Sequence, residues 1–149
     1  MEDVISQGAW STCIRRVALN QTVNTPLYGY TYEYQLPTDP SIVKLLNVQD
    51  EHVNDIDYRV EDDKLLANES AVNVKYVGLI TDPGSYGPYL SNVVARRIAA
   101  EIAYKLTGSV SMQNAAYGRY QSELKKALAK DGEQGSAQYL HNDTLTRIR

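Results

Sequence analysis

The residues that most often carry chemistry in proteins are few in this chain and widely spaced. His52 and His141 are far apart, and neither is surrounded by ligands at the spacing of a metal site. Asp55 and Asp57 lie on the same side of an extended chain, where a divalent cation can bind, but a solvated loop is the simpler interpretation. The single cysteine, Cys13, permits no internal disulfide or multi-cysteine zinc site, and we expect it to be a small buried side chain. The sequence therefore predicts no metal and no cofactor.

Serine and glycine likewise occur outside the motifs that make them catalytic. No serine stands in a Gly-x-Ser-x-Gly elbow. The stretch Gly84-Ser85-Tyr86-Gly87 lacks the following Lys-Ser/Thr of a phosphate-binding loop. Because we find no triad, no paired acid and base and no cofactor fingerprint, we predict that the chain is not an enzyme.

The elements that position these residues must form one domain over residues 1–149. With 149 residues and 43% hydrophobic content, the chain is long enough for one core. The net charge of −3 argues against a dedicated duplex-binding protein, which is usually basic. No apolar run approaches the roughly 20 residues of a membrane span, and residues 1–3 lack the basic start of a signal peptide. We therefore expect that the chain is synthesised in the cytosol and does not associate with a membrane.

Two helices joined by a short break are predicted over residues 86–106 and 109–131. In the first helix apolar residues recur at every fourth position, which we expect to place them along one core-facing side; they are Leu90, Val94, Ile98, Ile102 and Leu106. In the second helix the expected apolar stripe comprises Tyr117, Tyr120, Leu124, Ala127 and Leu128. Gly108 suits the left-handed position after the first helix. Such a short connection makes the helices antiparallel neighbours.

The first part of the chain, residues 1–85, is predicted to be mainly β, with strands and hairpins between about residues 10 and 80. Trp10 to Leu19, Ser41 to Val48 and the run around Val72 to Tyr76 are expected strands. Asp62-Asp63 is an expected hairpin turn between residues 58–61 and 64–67. The fold class is therefore α+β: an antiparallel helix pair, a β region and an extended C-terminal tail over residues 132–149.

A row of tyrosines alternates with other residues between positions 28 and 34. Tyr28, Tyr30, Tyr32 and Tyr34 would share one face of a strand. Tyrosine suits half-buried and interface positions, so a packing or subunit-interface role is one interpretation. The other is a stacking platform for single-stranded nucleic acid, although Glu33 is the only charge nearby.

Charge is distributed unevenly between the two halves of the chain. Residues 50–63 carry a net charge of −6, whereas residues 86–131 carry +4. Arg96 and Arg97 lie beside the apolar side of the first helix. They form either a solvated face or a contact with the acidic segment of a neighbouring subunit. The candidate interface residues are Tyr28, Tyr30, Tyr32, Tyr34, Arg96, Arg97, Asp62, Asp63, Tyr139 and Leu140.

The order of several short motifs resembles the tail tubular protein A family, the head-to-tail adaptors of short-tailed bacteriophages and related prophages. The resemblance covers about residues 5–135, and its specificity lies in the order and spacing of motifs that are individually weak. The β motifs are Trp10, Arg15-Arg16-Val17-Ala18-Leu19, Tyr28-Gly29-Tyr30-Thr31-Tyr32, Tyr34-Gln35-Leu36-Pro37-Thr38-Asp39, Tyr58-Arg59-Val60-Glu61, Leu65-Leu66-Ala67, Val74-Lys75-Tyr76 and Asp82-Pro83. The helical motifs are Ala99-Ala100-Glu101-Ile102-Ala103, Leu106-Thr107-Gly108-Ser109 and Lys130-Asp131-Gly132-Glu133.

The resemblance implies a structural virion protein without catalysis. Such adaptors form a homo-oligomeric, usually dodecameric ring beneath the portal protein, present a platform to the tail nozzle or next tail component, and pass double-stranded DNA through the lumen without sequence-specific contacts. The chain would be made in the bacterial cytoplasm and reside in the neck of the virion. Family members usually have further helices before the position of Trp10, so this chain is either a shorter relative or has its bundle completed by another chain.

The resemblance also suggests where the partners meet this chain. We expect residues 50–63 to face the DNA channel or the tail-side partner, because an acidic lumen repels phosphates and lets DNA slide. We expect the tail from Glu133 onward to bind the portal. Two other functions stay open: a single-stranded nucleic-acid-binding accessory module that uses the Tyr28–Tyr34 face, and a cellular interaction module with no viral role.

Overall fold

The computed structural model describes residues 2–134; Met1 and residues 135–149 lie outside it. The chain is α+β, as the sequence predicts. Its helices are α1 (Glu2–Ser6), α2 (Pro88–Thr107) and α3 (Val110–Gly132). Its strands are β1 (Ile14–Ala18), β2 (Asn20–Gln21), β3 (Tyr32–Gln35), β4 (Ile42–Gln49), β5 (Tyr58–Glu61), β6 (Lys64–Ala67) and β7 (Asn73–Gly78). Single 3-10 turns cover Ser11–Cys13 and Pro83–Ser85.

The strands form two antiparallel sheets. The three-stranded sheet has the order β1-β7-β4, and the four-stranded sheet has the order β2-β3-β6-β5. The predicted hairpin between β5 and β6 is confirmed, with Glu61 opposite Lys64 on either side of the turn. Both turn residues, Asp62 and Asp63, have positive φ angles of 47° and 58°. Two successive positive φ angles match the twist of a tight antiparallel hairpin, and aspartate tolerates them better than most residues.

Two hydrophobic cores share strand β7. Val77 points into a helical core together with Trp10, Leu90 and Tyr120. On the other side of the same strand, Val74 and Tyr76 point into a β core. The alternation of side chains along a strand lets one element serve both cores. The β core therefore lies under the four-stranded sheet, and the helical core lies under the helix pair.

The helix pair has the ends that the sequence predicts. Pro88 occupies the first turn of α2, where its missing amide hydrogen costs nothing. Gly108 ends α2 with a φ angle of 65°, and its amide donates to the Tyr104 carbonyl at 2.8 Å. Ser109 then starts α3 by accepting a hydrogen bond from the Met112 amide. These caps reverse the chain within two residues, so α2 and α3 pack together as an antiparallel hairpin.

The N-terminal segment is fastened to this hairpin by polar contacts. The Asp131 carboxylate is buried in α3 and accepts from Ser11, from the amide at 2.7 Å and from the hydroxyl at 2.8 Å. The Trp10 indole donates to the Val4 carbonyl at 3.2 Å, which closes residues 4–10 into a compact cap over the helical core.

Two strand predictions are wrong in their bounds. The predicted strand from Trp10 begins only at Ile14, because Trp10 is buried and residues 11–13 form a 3-10 turn. The predicted strand over residues 28–34 begins only at Tyr32. Gly29 has a φ angle of 85°, a left-handed conformation that interrupts an extended strand. Residues 26–31 therefore form a loop.

Candidate assembly surfaces

An apolar surface lies on one side of α2 and faces solvent. We define this outer face by Ala95, Ile98, Ala99, Ile102 and Leu106, all of which are exposed. Ile98 is 54% exposed, Ile102 43% and Leu106 76%. Ala100 and Ala103 on another side of the same helix are buried. The later turns of α2 thus bury small side chains and present larger apolar ones to solvent.

This arrangement corrects the prediction that the residues at every fourth position all face the core. Leu90 is buried and Val94 is partly buried, but the three later members of the series are exposed. An α-helix turns about 100° per residue, so a step of four residues overshoots a full turn by about 40°. Over four such steps the series rotates away from the packed side. The buried side instead follows Leu90, Val93, Ala100 and Ala103.

The end of the hairpin remote from the core adds further exposed apolar side chains. Val110 is 59% exposed and Met112 57% exposed at the start of α3. Tyr104 in α2 and Tyr117 in α3 are also more than two-fifths exposed. Large exposed apolar patches on soluble proteins mark interaction sites. The stripe predicted for α3 is otherwise confirmed in the core, where Tyr120, Leu124 and Ala127 are buried.

The two arginines of α2 have different environments. Arg97 pairs with Glu101 at 2.8 Å and with Asp3 at 3.4 Å, and its guanidinium lies over the rings of Tyr117 and Tyr120. It therefore ties α1, α2 and α3 together within one chain, a role that neither sequence interpretation included. Arg96 is exposed and has no carboxylate within ion-pair distance among residues 2–134.

A second surface lies on the β half of the molecule. We define the acidic rim as residues 50–63, which comprise the loop after β4, strand β5 and the Asp62-Asp63 turn. Every residue of β5 is exposed, including Tyr58 at 41% and Val60 at 45%. Val53 in the preceding loop is 70% exposed. The rim therefore combines carboxylates with apolar side chains, and β5 is an edge of its sheet.

The rim is ordered by hydrogen bonds of its own carboxylates. Asp50 accepts from the amides of His52 and Asn54, each at 2.8 Å, and from the Asn54 side chain. The hydrogen bonds from Asn54 lower the pKa of the Asp50 carboxyl below its ordinary value. Asp55 accepts from Gln49, whereas the side-chain carboxylates of Asp57, Asp62 and Asp63 accept no hydrogen bond among the described residues; the Gln35 side chain donates to the backbone carbonyl of Asp63. Their charges are available to a partner.

The four tyrosines that the sequence places on one face do not share one. Tyr34 is 1% exposed in the β core, where burial raises the pKa of its phenol. Tyr28 is 88% exposed in the loop of residues 26–31. Tyr30 and Tyr32 are partly buried. These four rings therefore form no continuous row on which successive bases would stack.

A groove of mixed polar and apolar lining lies beside the three-stranded sheet. It has a volume of about 430 Å³ and is lined by Arg16, Lys75, Asn47, Gln49 and Asn73, among other residues. Arg16 and Lys75 are directly opposite each other on β1 and β7. Like charges in this position destabilise a strand pair, so an anion of a partner would relieve the repulsion.

The part of the chain that the structure describes groups no set of three or more His, Cys, Asp or Glu side chains in a way that would hold a metal ion. Cys13 is fully buried, and burial raises the pKa of its thiol, as expected for an apolar packing residue. Within residues 2–134, every buried side-chain nitrogen or oxygen has a hydrogen-bond partner, and the helices are all too short or too polar to cross a membrane. Tyr139 and Leu140 lie outside the described residues.

The geometry thus separates the candidate residues into a basic helical hairpin with an apolar outer face and an acidic rim with exposed apolar side chains. Of these features, the sequence could have predicted only the exposure of the outer face, because apolar residues at every fourth position drift around a helix. A scan against models of protein families finds no match to the sequence, and a search of curated proteins finds no significant similarity.

Proposed function

We propose that this chain is the subunit of a ring-shaped head-to-tail adaptor in a short-tailed bacteriophage or prophage. The observation that carries the proposal is the outer face of α2, an apolar side of the helix that is exposed to solvent. In a monomer such a face costs solubility, whereas in an assembly it is the natural subunit contact. The order of motifs that resembles the tail tubular protein A family supplies the biological setting.

Two further features support an assembly role. The N-terminal cap binds the helix pair through the Ser11–Asp131 hydrogen bonds and the Arg97–Asp3 ion pair. These contacts fix the helix pair as a surface that another subunit can bind. The two halves carry opposite charge, which orients a subunit against unlike neighbours and suppresses wrong contacts. The ring lies between the portal protein and the next tail component and continues the channel for double-stranded DNA.

Within this proposal the chain is a neck component of the virion and is synthesised in the host cytoplasm. Ring formation by identical subunits requires a contact in which one surface of each copy meets a different surface of the next. We assign Arg16 and Lys75, together with the C-terminal residues from Glu133 onward, to contacts with the portal or the next tail component.

The test is binding to the portal ring of the phage or prophage whose genome encodes this chain. Purified portal rings are mixed with the full chain and imaged by electron microscopy after size separation. The proposal expects a ring of additional density on one end of the portal. An Ile98→Gln/Ile102→Gln chain serves as a folded control that should decorate the portal incompletely. Portal rings that stay bare at saturating chain concentration would refute the adaptor role.

A further inference from the structure

The exposed apolar side chains of the described residues fall mainly into two groups of opposite electrostatic character. One group lies on the helical hairpin and comprises Ile98, Ile102, Tyr104, Leu106, Val110, Met112 and Tyr117. The other lies on the β half and includes Val53, Tyr58 and Val60 of the acidic rim, with Leu27 and Tyr28 in the loop of residues 26–31. The first group thus lies on α2 and α3, and the second lies on β5 and the loops of the β half.

The charges around the first group are positive. The hairpin carries a net charge of +4, and its acidic members are largely used within the chain. Glu101 forms an ion pair with Arg97, and the buried Asp131 carboxylate accepts a hydrogen bond from the Ser11 amide. The remaining cations have no carboxylate within ion-pair distance among residues 2–134; they are Arg96, Lys105, Arg119, Lys125, Lys126 and Lys130.

The charges around the second group are negative. Residues 50–63 carry a net charge of −6, and the one cation among them, Arg59, is paired with Glu61 at 3.1 Å. The rim thus presents carboxylates beside exposed apolar side chains, just as the hairpin presents ammonium and guanidinium groups beside them. The two surfaces are complementary in charge and alike in apolar character.

We infer that the outer face of α2 in one copy packs against the acidic rim of a second copy, so that identical chains associate head to tail. A hairpin-to-hairpin contact would oppose two basic surfaces, and a rim-to-rim contact would oppose two acidic ones, and like charges brought together repel each other. The contact between unlike surfaces avoids both. Such a heterologous contact leaves one free surface at each end of a chain of copies and closes into a ring when the rotation permits.

This inference names the subunit contact of the proposed adaptor ring and rests on that proposal for its biological setting. It is nevertheless a separate claim, because head-to-tail association requires no portal. The chain can associate in this way and fail to bind any portal, and it can bind a portal through other residues without these contacts.

The test uses two full-length variants, each of which disables one surface. Ile98→Gln/Ile102→Gln removes apolar side chains from the outer face while keeping good helix formers in α2. Tyr58→Lys/Val60→Lys places cations on the rim at exposed positions of an edge strand, where lysine is well tolerated and blocks pairing. Circular dichroism and thermal unfolding verify that each variant folds as the wild type does.

Sedimentation velocity at increasing concentration then measures association of each chain alone and of an equimolar mixture. The wild type should form oligomers, each variant alone should stay monomeric, and the mixture should form a one-to-one dimer that grows no further. The mixed dimer retains one intact hairpin from the rim variant and one intact rim from the hairpin variant. The wild-type oligomers should also weaken when the salt concentration rises from about 0.05 M to about 0.5 M, since the screening length falls several-fold.

Two results would overturn the inference. A mixture that stays monomeric, although the wild type associates, means that the contact joins like surfaces or uses other residues. A wild type that stays monomeric at every concentration means that the two surfaces do not bind each other. A variant that fails to fold is replaced by Ile102→Gln or Val60→Lys alone, which makes the same comparison with a smaller change.

Discussion

Truncating the side chains of the outer face of α2 should weaken self-association while leaving the free energy of unfolding nearly unchanged. We consider the variant Ile98→Ala/Ile102→Ala/Leu106→Ala. Burying an exposed isoleucine or leucine side chain completely is worth about 1.5–3 kcal/mol. Because the three residues are 54%, 43% and 76% exposed, each has roughly half of that free energy, about 1 kcal/mol, left to gain when a partner covers it.

The three side chains together therefore contribute about 3 kcal/mol to association. Since each 1.4 kcal/mol is a factor of ten in Kd, the triple alanine variant should associate about a hundredfold more weakly than the wild type. Its free energy of unfolding should change by less than about 1 kcal/mol, because alanine is a better helix former than isoleucine and offsets the small loss of packing.

The assay combines analytical ultracentrifugation for Kd with thermal unfolding at a concentration where the wild type is monomeric. Leu90→Ala is the contrasting variant: Leu90 is 1% exposed, and truncating a buried leucine costs about 2–5 kcal/mol of folding stability. Val23→Ala, at a fully exposed site in the loop after β2, is the surface control and should change neither quantity. An unchanged Kd in the triple variant would refute the reasoning, as would a fall in Tm comparable to that of Leu90→Ala.

Three further predictions concern the N-terminal cap, the four-stranded sheet and the tyrosines. Asp131→Ala should lower the free energy of unfolding by about 1–3 kcal/mol in denaturant titrations, because the part-buried Ser11 amide loses its acceptor. Asp131→Asn, which keeps one acceptor, should cost less, and equal losses would contradict this role. Hydrogen bonds from Thr22 and Lys64 lower the pKa of Glu33. The folding stability that they add is therefore present at neutral pH and is lost as the pH falls through this lowered pKa. Glu33→Gln should reduce the loss of stability in acid, and an unchanged dependence of stability on pH would contradict this role of Glu33. Finally, Tyr30→Ala and Tyr32→Ala should leave the fluorescence anisotropy of labelled single-stranded oligonucleotides the same as with the wild type, since the tyrosines form no continuous platform. Tight binding by the wild type that is lost in these variants would support the nucleic-acid interpretation.

The sequence predicts best the features that depend on neighbouring residues. The Asp62-Asp63 turn, the Gly108 cap and the limits of α2 and α3 were predictable within one or two residues because local backbone preferences decide them. The tyrosine alternation failed because a single residue, Gly29, takes a left-handed conformation. A pattern of period two reports spacing but not whether the backbone stays extended.

The features that matter most for assembly depend on contacts that no local pattern contains. The pairing of Arg97 with Asp3 and of Asp131 with Ser11 joins residues about a hundred positions apart. Their partners become visible only when the N-terminal cap is placed on the hairpin. The four-residue repeat shows that the apolar series drifts around α2, but the exposure of Ile98 and Ile102 depends on which side of the helix is packed. That side carries Leu90, Val93, Ala100 and Ala103.

Our proposal places identical copies of this chain in a ring. Electron microscopy of the full chain mixed with portal rings is the most direct test. We expect a closed ring of identical copies in which the outer face of α2 in each copy lies against residues 50–63 of the next. Isolated copies bound separately to the portal, or a ring in which the outer face of α2 remains open to solvent, would contradict it.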